Sequence, residues 1–92
     1  MFKIQASSKF KRQLKSIVSQ GKDIQKLNEV VEILQNGGIL PPKFKDHKLK
    51  GSKRGLRECH VEPDWLLIYK IEKTDLLLML IETGSHSELL NL

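Results

Sequence analysis

Residues 65–81, WLLIYKIEKTDLLLMLI, decide the fold of this chain. Two apolar runs, 65–71 and 76–81, flank the polar stretch Glu72-Lys73-Thr74-Asp75, a pattern typical of two antiparallel strands joined by a tight turn. The second run, LLLMLI, is apolar at every position, so we expect both of its faces to be covered. The sequence therefore predicts a β-hairpin whose second strand lies inside a sheet.

Further elements precede and follow this hairpin. Residues 56–61 predict a strand that the turn Glu62-Pro63-Asp64 connects to the hairpin, and residues 2–5 predict a short first strand. Two amphipathic helices lie between these strands, and residues 85–91 can form a final helical turn. The order β-α-α-β-β-β predicts an α+β fold in which a helical hairpin packs on one face of a small, largely antiparallel sheet. The other face would stay open to a substrate.

Helix boundaries and apolar spacing define the expected core. Ser7 or Ser8 can cap the first helix and Asp23 the second, since both residue types accept hydrogen bonds from free backbone N–H groups. The core-facing positions are Phe10, Leu14, Ile17 and Val18 on the first helix and Leu27, Val30, Val31 and Leu34 on the second. Strand alternation adds Cys59, Trp65, Leu67 and Tyr69 to the core.

The chain has 92 residues, which predicts one domain, residues 1–92. Its net charge of +5 hides an asymmetry, because residues 1–57 hold 14 basic and 4 acidic side chains whereas residues 58–92 hold 2 basic and 7 acidic ones. A basic half suggests a polyanion such as nucleic acid as partner, although a solvated lysine-rich surface would give the same sum. Cys59 is the single cysteine, which excludes an internal disulfide and fits a reducing cytoplasm. The longest apolar run has six residues, so no membrane segment is expected.

Three histidines, His47, His60 and His86, are the candidates for proton chemistry. Alternation places Glu58 on the same strand face as His60. Histidines beside lysines and arginines suit metal-free cleavage of an RNA phosphodiester, in which one group takes the 2′-hydroxyl proton and another protonates the 5′-oxygen. An isolated histidine is more often a surface residue. A zinc site is disfavoured, because the spacing of the histidines and Asp64 matches no standard zinc site.

The segment 43–57 is dense in cations that could contact phosphates. The candidate RNA-binding residues are Lys43, Lys45, Lys48, Lys50, Lys53, Arg54 and Arg57. Charge alone is equally compatible with a general nucleic-acid-binding protein.

Several motifs in the second half resemble those of one toxin family. They are Lys45-Asp46-His47 followed by Leu49 and Gly51-Ser52, then His60-Val-Glu-Pro-Asp-Trp65 and Leu67-Ile-Tyr69-Lys70, and last Thr83-Gly-Ser-His86. Together they make the chain similar to the YafQ-type toxins of the RelE/ParE superfamily, and they cover residues 45–90.

The resemblance implies a RelE-like fold and a ribosome-dependent mRNA endonuclease that cuts mRNA in the A site and needs no cofactor or metal. It places the family's catalytic histidines on His47, His60 and His86 and its acidic positions on Asp64 and Glu58. The family's C-terminal aromatic corresponds to Leu90, and its tryptophan and tyrosine in the basic loop correspond to Lys53 and Leu56, which cannot stack in the same way.

The resemblance also implies partners. These are a cognate antitoxin, the 70S ribosome with its mRNA, and operator DNA only through the antitoxin complex, with no membrane. The same fold hosts toxins that act on DNA gyrase without RNA chemistry, so a non-catalytic binding toxin is the alternative. The histidine set favours the nuclease, because a gyrase-binding toxin does not need it.

Overall fold

The computed structural model describes residues 1–90, with Leu90 described by its backbone alone. The strands are β1 Lys3–Ala6, β2 His47–Lys48, β3 Arg57–Glu62, β4 Trp65–Glu72 and β5 Leu77–Gly84. The helices are α1 Ser8–Ser19, α2 Ile24–Gln35 and α3 His86–Leu90, and short 3-10 turns form at Pro42–Phe44 and Gly51–Lys53. Among these described helices, none combines the length and the apolar character that crossing a bilayer requires.

The five strands form one sheet in the order β1-β5-β4-β3-β2. β1 runs parallel to β5, and all other neighbours are antiparallel. This arrangement confirms the predicted α+β class and the position of β5 inside the sheet. Within the basic segment 43–57, His47 and Lys48 form a short edge strand against Glu58 and Arg57, an element that was not predicted from the sequence.

β5 begins and ends later than the predicted strand 76–81. Leu76 has a left-handed backbone (φ 54°) and is 57% exposed, so it belongs to the turn. The strand continues because the Trp65 indole N–H donates to Thr83 Oγ1 at 2.9 Å and Leu66 pairs with Gly84. A bulge at Ile81 shifts the register between β4 and β5, so Ile81 and Glu82 both lie on the face of the sheet that carries Ile68.

The two long helices cover one face of the sheet. Their caps are Ser7, which accepts from the Phe10 N–H, and Asp23, which accepts from the Gln25 N–H. Their buried residues pack against the strand residues Cys59, Val61, Trp65, Leu67, Tyr69, Leu78 and Leu80. The prediction for Val18 is wrong: it is 54% exposed, because it lies about 80° around α1 from Phe10. Burial of Cys59 is confirmed, and it raises the pKa of the thiol to about 12.

The second face of the sheet is not open, contrary to the prediction. Leu66 and Ile68 are fully buried there, together with Leu89 of α3. Leu49 and Leu56, from the segment between β2 and β3, pack against the same cluster. Alternation places apolar side chains on this face of the sheet as well, and α3 and the basic segment shield part of them from solvent. Glu58 and His60 project from this same face beside Ile68 and Leu66, so a substrate site on it is limited to its margin along β3.

Candidate active site

The predicted active-site residues come from four different elements. β2 carries His47, β3 carries Glu58 and His60, the β3–β4 turn carries Asp64, and α3 begins with His86. Glu58 and His60 are two residues apart on one strand, so their side chains lie on the same face about 6.6 Å apart along the backbone. The antiparallel pairing of His47 with Glu58 brings the third histidine to this face.

Asp64 and His86 form the tightest contact of the site. The Asp64 carboxylate oxygen Oδ1 lies 2.6 Å from His86 Nδ1 and also accepts the His86 backbone N–H at 2.9 Å. Both hydrogen bonds hold the pKa of Asp64 below its usual value, with the backbone N–H contributing most. Because a carboxylate only accepts, the ring proton of His86 lies on Nδ1, and Nε2 stays available for proton transfer.

A capping box fixes the position of His86. The Ser85 hydroxyl accepts the Glu88 N–H at 3.2 Å, and the Glu88 carboxylate accepts the Ser85 N–H at 2.9 Å. The Ser85-x-x-Glu88 spacing is visible in the sequence and places His86 at the first position of α3. Two backbone-anchored contacts, the capping box and the bond to Asp64, therefore orient the ring.

His60 is the nearest second imidazole. Its ring centre lies 5.4 Å from that of His86, with the rings inclined at 61° in an edge-to-face arrangement. His60 is half-buried at the end of β3, whereas the His86 side chain is 38% exposed. The two rings can therefore face the same small group, such as a phosphate.

His47 and Glu58 form the second histidine–carboxylate pair. His47 Nδ1 donates to the Lys45 carbonyl oxygen at 2.8 Å, since a carbonyl can only accept, and Nε2 lies 3.5 Å from Glu58 Oε1. Glu58 is buried, so its charge is poorly solvated. The pairing therefore places an imidazole of the edge strand next to a buried carboxylate of β3.

Asp46 anchors the chain next to His47, a role that the sequence analysis did not assign. Its carboxylate accepts hydrogen bonds from the Arg57 guanidinium, at 3.0 and 3.3 Å, and from the Tyr69 hydroxyl. Burial and the bond to Asp46 raise the pKa of Tyr69, while Asp46 raises that of Arg57. Arg57 and Tyr69 are cross-strand partners. The sequence does hint at this role, because Asp46 is the only acidic residue among the cations of segment 43–57.

The other predicted RNA-binding cations divide into three groups. Lys53 is held by Glu82 at 3.2 Å, as Arg57 is held by Asp46. Lys43 and Lys45 line a cavity, and the remaining exposed cations of the segment are Lys48, Lys50 and Arg54. The side chain of Leu90, the position of the family's C-terminal aromatic, lies outside the described residues.

A cavity of about 620 Å³ opens beside the two histidines. Its lining includes Lys43 and Phe44 of the first 3-10 turn, Lys45 directly after it, His60 and Glu62 of β3, Lys26 and Glu29 of α2, and His86. Phe44 and the α2 residues were not among the predicted site residues, because contact between α2 and this turn depends on how the helix packs across the sheet.

Comparison with known proteins identifies the family. A family model described as the bacterial toxin of type II toxin–antitoxin systems, YafQ, matches residues 2–91. The chain belongs to the YafQ toxin family. It is 42% identical over 87 residues to the mRNA interferase toxin YafQ of Escherichia coli K12, covering 94% of this chain and 92% of that protein.

Solved YafQ-like structures share the fold. A metal-bound toxin from Helicobacter pylori superposes with a TM-score of 0.92 at 47% identity, covering 97% of this chain and 99% of the other. The toxin in the E. coli DinJ–YafQ complex superposes with a TM-score of 0.86 at 40% identity, covering 97% and 98%. This chain and these toxins therefore share the predicted RelE-like topology over nearly the whole chain.

The ligand set of this chain does not fit a resident metal ion. Within residues 1–90, no three His, Cys, Asp or Glu side chains are grouped so that they could hold one. Oδ1 of Asp64, the carboxylate nearest to the two imidazoles, is already bonded to His86 Nδ1.

Proposed function

We propose that residues 1–92 form a single toxin domain that cuts mRNA in the ribosomal A site and so stops translation. The observation that carries this proposal is the meeting of His60 and His86, with Asp64 fixing the His86 tautomer, beside a cavity lined by lysines. The E. coli relative's name, mRNA interferase toxin, supports the same activity.

The proposed chemistry is metal-free transesterification. The 2′-oxygen attacks the adjacent phosphorus, the bond from phosphorus to the 5′-oxygen breaks, and the products are a 2′,3′-cyclic phosphate and a 5′-hydroxyl. His86 and His60 form the acid–base pair: one takes the 2′-hydroxyl proton and the other protonates the leaving oxygen. Asp64 stabilises the imidazolium form of His86, and the lysines offset charge on the phosphate.

We infer that cleavage depends on the ribosome, because acid–base groups alone supply too little of the rate. General acid–base groups supply only about 10²–10⁴-fold in rate. The cavity beside the histidines opens to the surface, and a flexible RNA must be held in line there for the 2′-oxygen to attack. The ribosome would supply that alignment by fixing the codon. We therefore expect only weak cleavage of free RNA.

The decisive experiment is primer extension on ribosome-bound mRNA with the wild-type protein and His86→Ala. Wild type should produce cuts within A-site codons, and the variant should produce at least about 10²-fold fewer, because it loses one proton carrier. Equal cleavage by both proteins would overturn the histidine mechanism. Intact mRNA together with DNA damage would instead indicate a gyrase-binding toxin.

We further propose a cognate antitoxin as partner, supported by the E. coli DinJ–YafQ complex. A basic surface of this kind favours an acidic, partly disordered segment that folds on binding. Contact with operator DNA would occur only through that complex. An enzyme that acts on ribosomes works in the cytoplasm.

A further inference from the structure

Phe44 is a constituent of the cavity that the proton chemistry does not use. It is the only phenylalanine, tyrosine or tryptophan in the described lining, and that lining also contains His60 and His86. It ends the 3-10 turn that begins at Pro42. An aromatic ring next to proton carriers and lysines combines the three kinds of group that a nucleotide can contact: stacking surface, cation and acid–base group.

The hydrogen bonds of the 3-10 turn fix the backbone at Phe44. The Phe44 N–H donates to the Pro41 carbonyl and the Lys45 N–H to the Pro42 carbonyl, both at 3.0 Å. Lys45 closes the turn in a left-handed conformation with φ 50°. Part of the Phe44 side chain packs against the main core, so the ring is a fixed platform.

Phe44 is half-buried, so part of its side chain is accessible. The Lys43 ammonium lies 5.1 Å from the ring centre, and Lys43 itself is exposed. An exposed ammonium over a ring is a weak, displaceable contact. A nucleobase could take its place on the ring, and Lys43 could then turn to a phosphate.

The charges of the cavity give a bound nucleotide one orientation. Lys43 and Lys45 adjoin Phe44 in the chain, whereas α2 and β3 contribute Glu29 and the Lys26–Glu62 ion pair, whose Nζ–Oε2 distance is 3.0 Å. A phosphate is attracted to the two lysines beside Phe44, and Glu29 repels it. The volume of about 620 Å³ lies within the usual range for small-ligand sites.

We propose that Phe44 is a stacking platform for an RNA base next to the cleaved phosphate, with Lys43 and Lys45 contacting the flanking backbone. This inference rests on the proposed function, because it concerns the RNA of the same site. It assigns Phe44 to substrate binding rather than to proton transfer. The ring would help to hold the nucleotide in register with His60 and His86.

Three variants separate stacking from packing. Phe44→Leu keeps an apolar side chain against the core but removes the aromatic face, whereas Phe44→Tyr keeps that face. Phe2→Leu is the matched control, because Phe2 also packs partly buried against the core but does not line the cavity. Binding is measured by NMR titration with a 2′-O-methyl RNA trinucleotide, which cannot be cleaved because its nucleophile is blocked, and cleavage by primer extension on ribosomes.

We expect Phe44→Leu to weaken trinucleotide binding and to reduce cleavage by about 5- to 150-fold, the range for loss of one stacked base. Phe44→Tyr should retain most of the binding and cleavage that Phe44→Leu loses, and Phe2→Leu should stay within about twofold of wild type. Base protons of the trinucleotide should shift upfield further with wild type and Phe44→Tyr than with Phe44→Leu, since that variant loses the ring current of the stacked benzene ring and keeps only those of the imidazoles.

The possible failures are distinguishable. If wild type cleaves mRNA and Phe44→Leu binds and cleaves equally well, the stacking platform is overturned and the proposed function stands. If wild type does not cleave mRNA on ribosomes, the proposed function fails. The trinucleotide titration alone then tests whether Phe44 stacks on a base. In that case, equal trinucleotide affinity of wild type and Phe44→Leu overturns the stacking platform.

Discussion

A single carboxylate, Asp64, controls which nitrogen of His86 carries the proton. Asp64→Asn preserves size and can still accept the His86 backbone N–H, but it removes the charge that stabilises the imidazolium. We expect ribosome-dependent cleavage to fall about 10²-fold while the unfolding temperature changes little, because the carboxylate is on the surface. Primer extension and thermal unfolding measure the two effects. Asp75→Asn, in the exposed β4–β5 turn, is the control, and wild-type cleavage by Asp64→Asn would contradict the pairing.

The sequence indicates the candidate residues but not their pairing. Alternation placed Glu58 beside His60, and both do share a strand face. Glu58 nevertheless contacts His47, because a two-residue strand pairs with β3, and a strand that short has no detectable pattern. The Asp64–His86 contact joins a turn to a helix start 22 residues later, a proximity that depends on the β4–β5 hairpin register.

Among the strands, the buried hydroxyl of Thr83 links the end of β5 to the start of β4. Thr83 Oγ1 accepts the Trp65 indole N–H at 2.9 Å and donates to the Leu66 carbonyl at 2.8 Å. Thr83→Val keeps the shape but leaves the buried Trp65 indole N–H without its partner and removes one bond to the Leu66 carbonyl, so we expect a loss of about 1–3 kcal/mol in unfolding free energy. Urea denaturation measures it. Thr74→Val, in the exposed turn, should change the free energy by less than about 0.5 kcal/mol, and equal effects of both variants would refute the role of the hydroxyl.

Glu82, on the bulged part of β5, links the 3-10 turn Gly51–Lys53 to α1. Burial would raise its pKa, but ion pairs with Lys9 at 3.0 Å and Lys53 at 3.2 Å lower it below the ordinary value. A pKa lowered by folding stabilises the protein above the unfolded value, near 4.3, and this stabilisation is lost as the pH falls through the folded value. Glu82→Gln should therefore reduce stability at pH 7 more than at pH 3.

Urea unfolding at pH 7 and pH 3 tests the Glu82 prediction. Glu72→Gln is the control, because Glu72 forms only a looser pair with Lys70 at 3.6 Å on the surface. Its effect should be small at both values. A Glu82→Gln penalty that is as large at pH 3 as at pH 7 would show that the side chain acts by packing and not by charge.

The elements with strong local signals were predicted well, and those that depend on distant partners were not. Ser7, Asp23 and the apolar helix spacing were sufficient to place α1 and α2. The end of β5 was missed because its last residues are polar and are held by Trp65 and Leu66 across the sheet. The cover over Leu66 and Ile68 was missed because α3 and the basic segment bring it from separate parts of the chain.

Over the whole molecule, the basic half has fewer free cations than its charge suggests. Arg57 and Lys53 stabilise the fold through Asp46 and Glu82, whereas Lys48, Lys50 and Arg54 are exposed. An exposed cation is available to neutralise a phosphate, and a paired one must first leave its carboxylate. Charge counted along the sequence therefore overstates how many contacts the protein can make with RNA.

This division predicts how RNA affinity depends on salt. Each phosphate contact of a single strand adds about 0.7 to the slope of log affinity against log salt concentration. Replacing Lys48, Lys50 and Arg54 together by Gln should lower that slope by up to about 2, with little change in stability. Lys53→Gln should instead lower stability with a smaller change in slope, since its ammonium is bonded to Glu82. Filter binding of RNA at several salt concentrations, paired with urea unfolding, measures both quantities; an unchanged slope in the triple variant would exclude these residues from RNA contact.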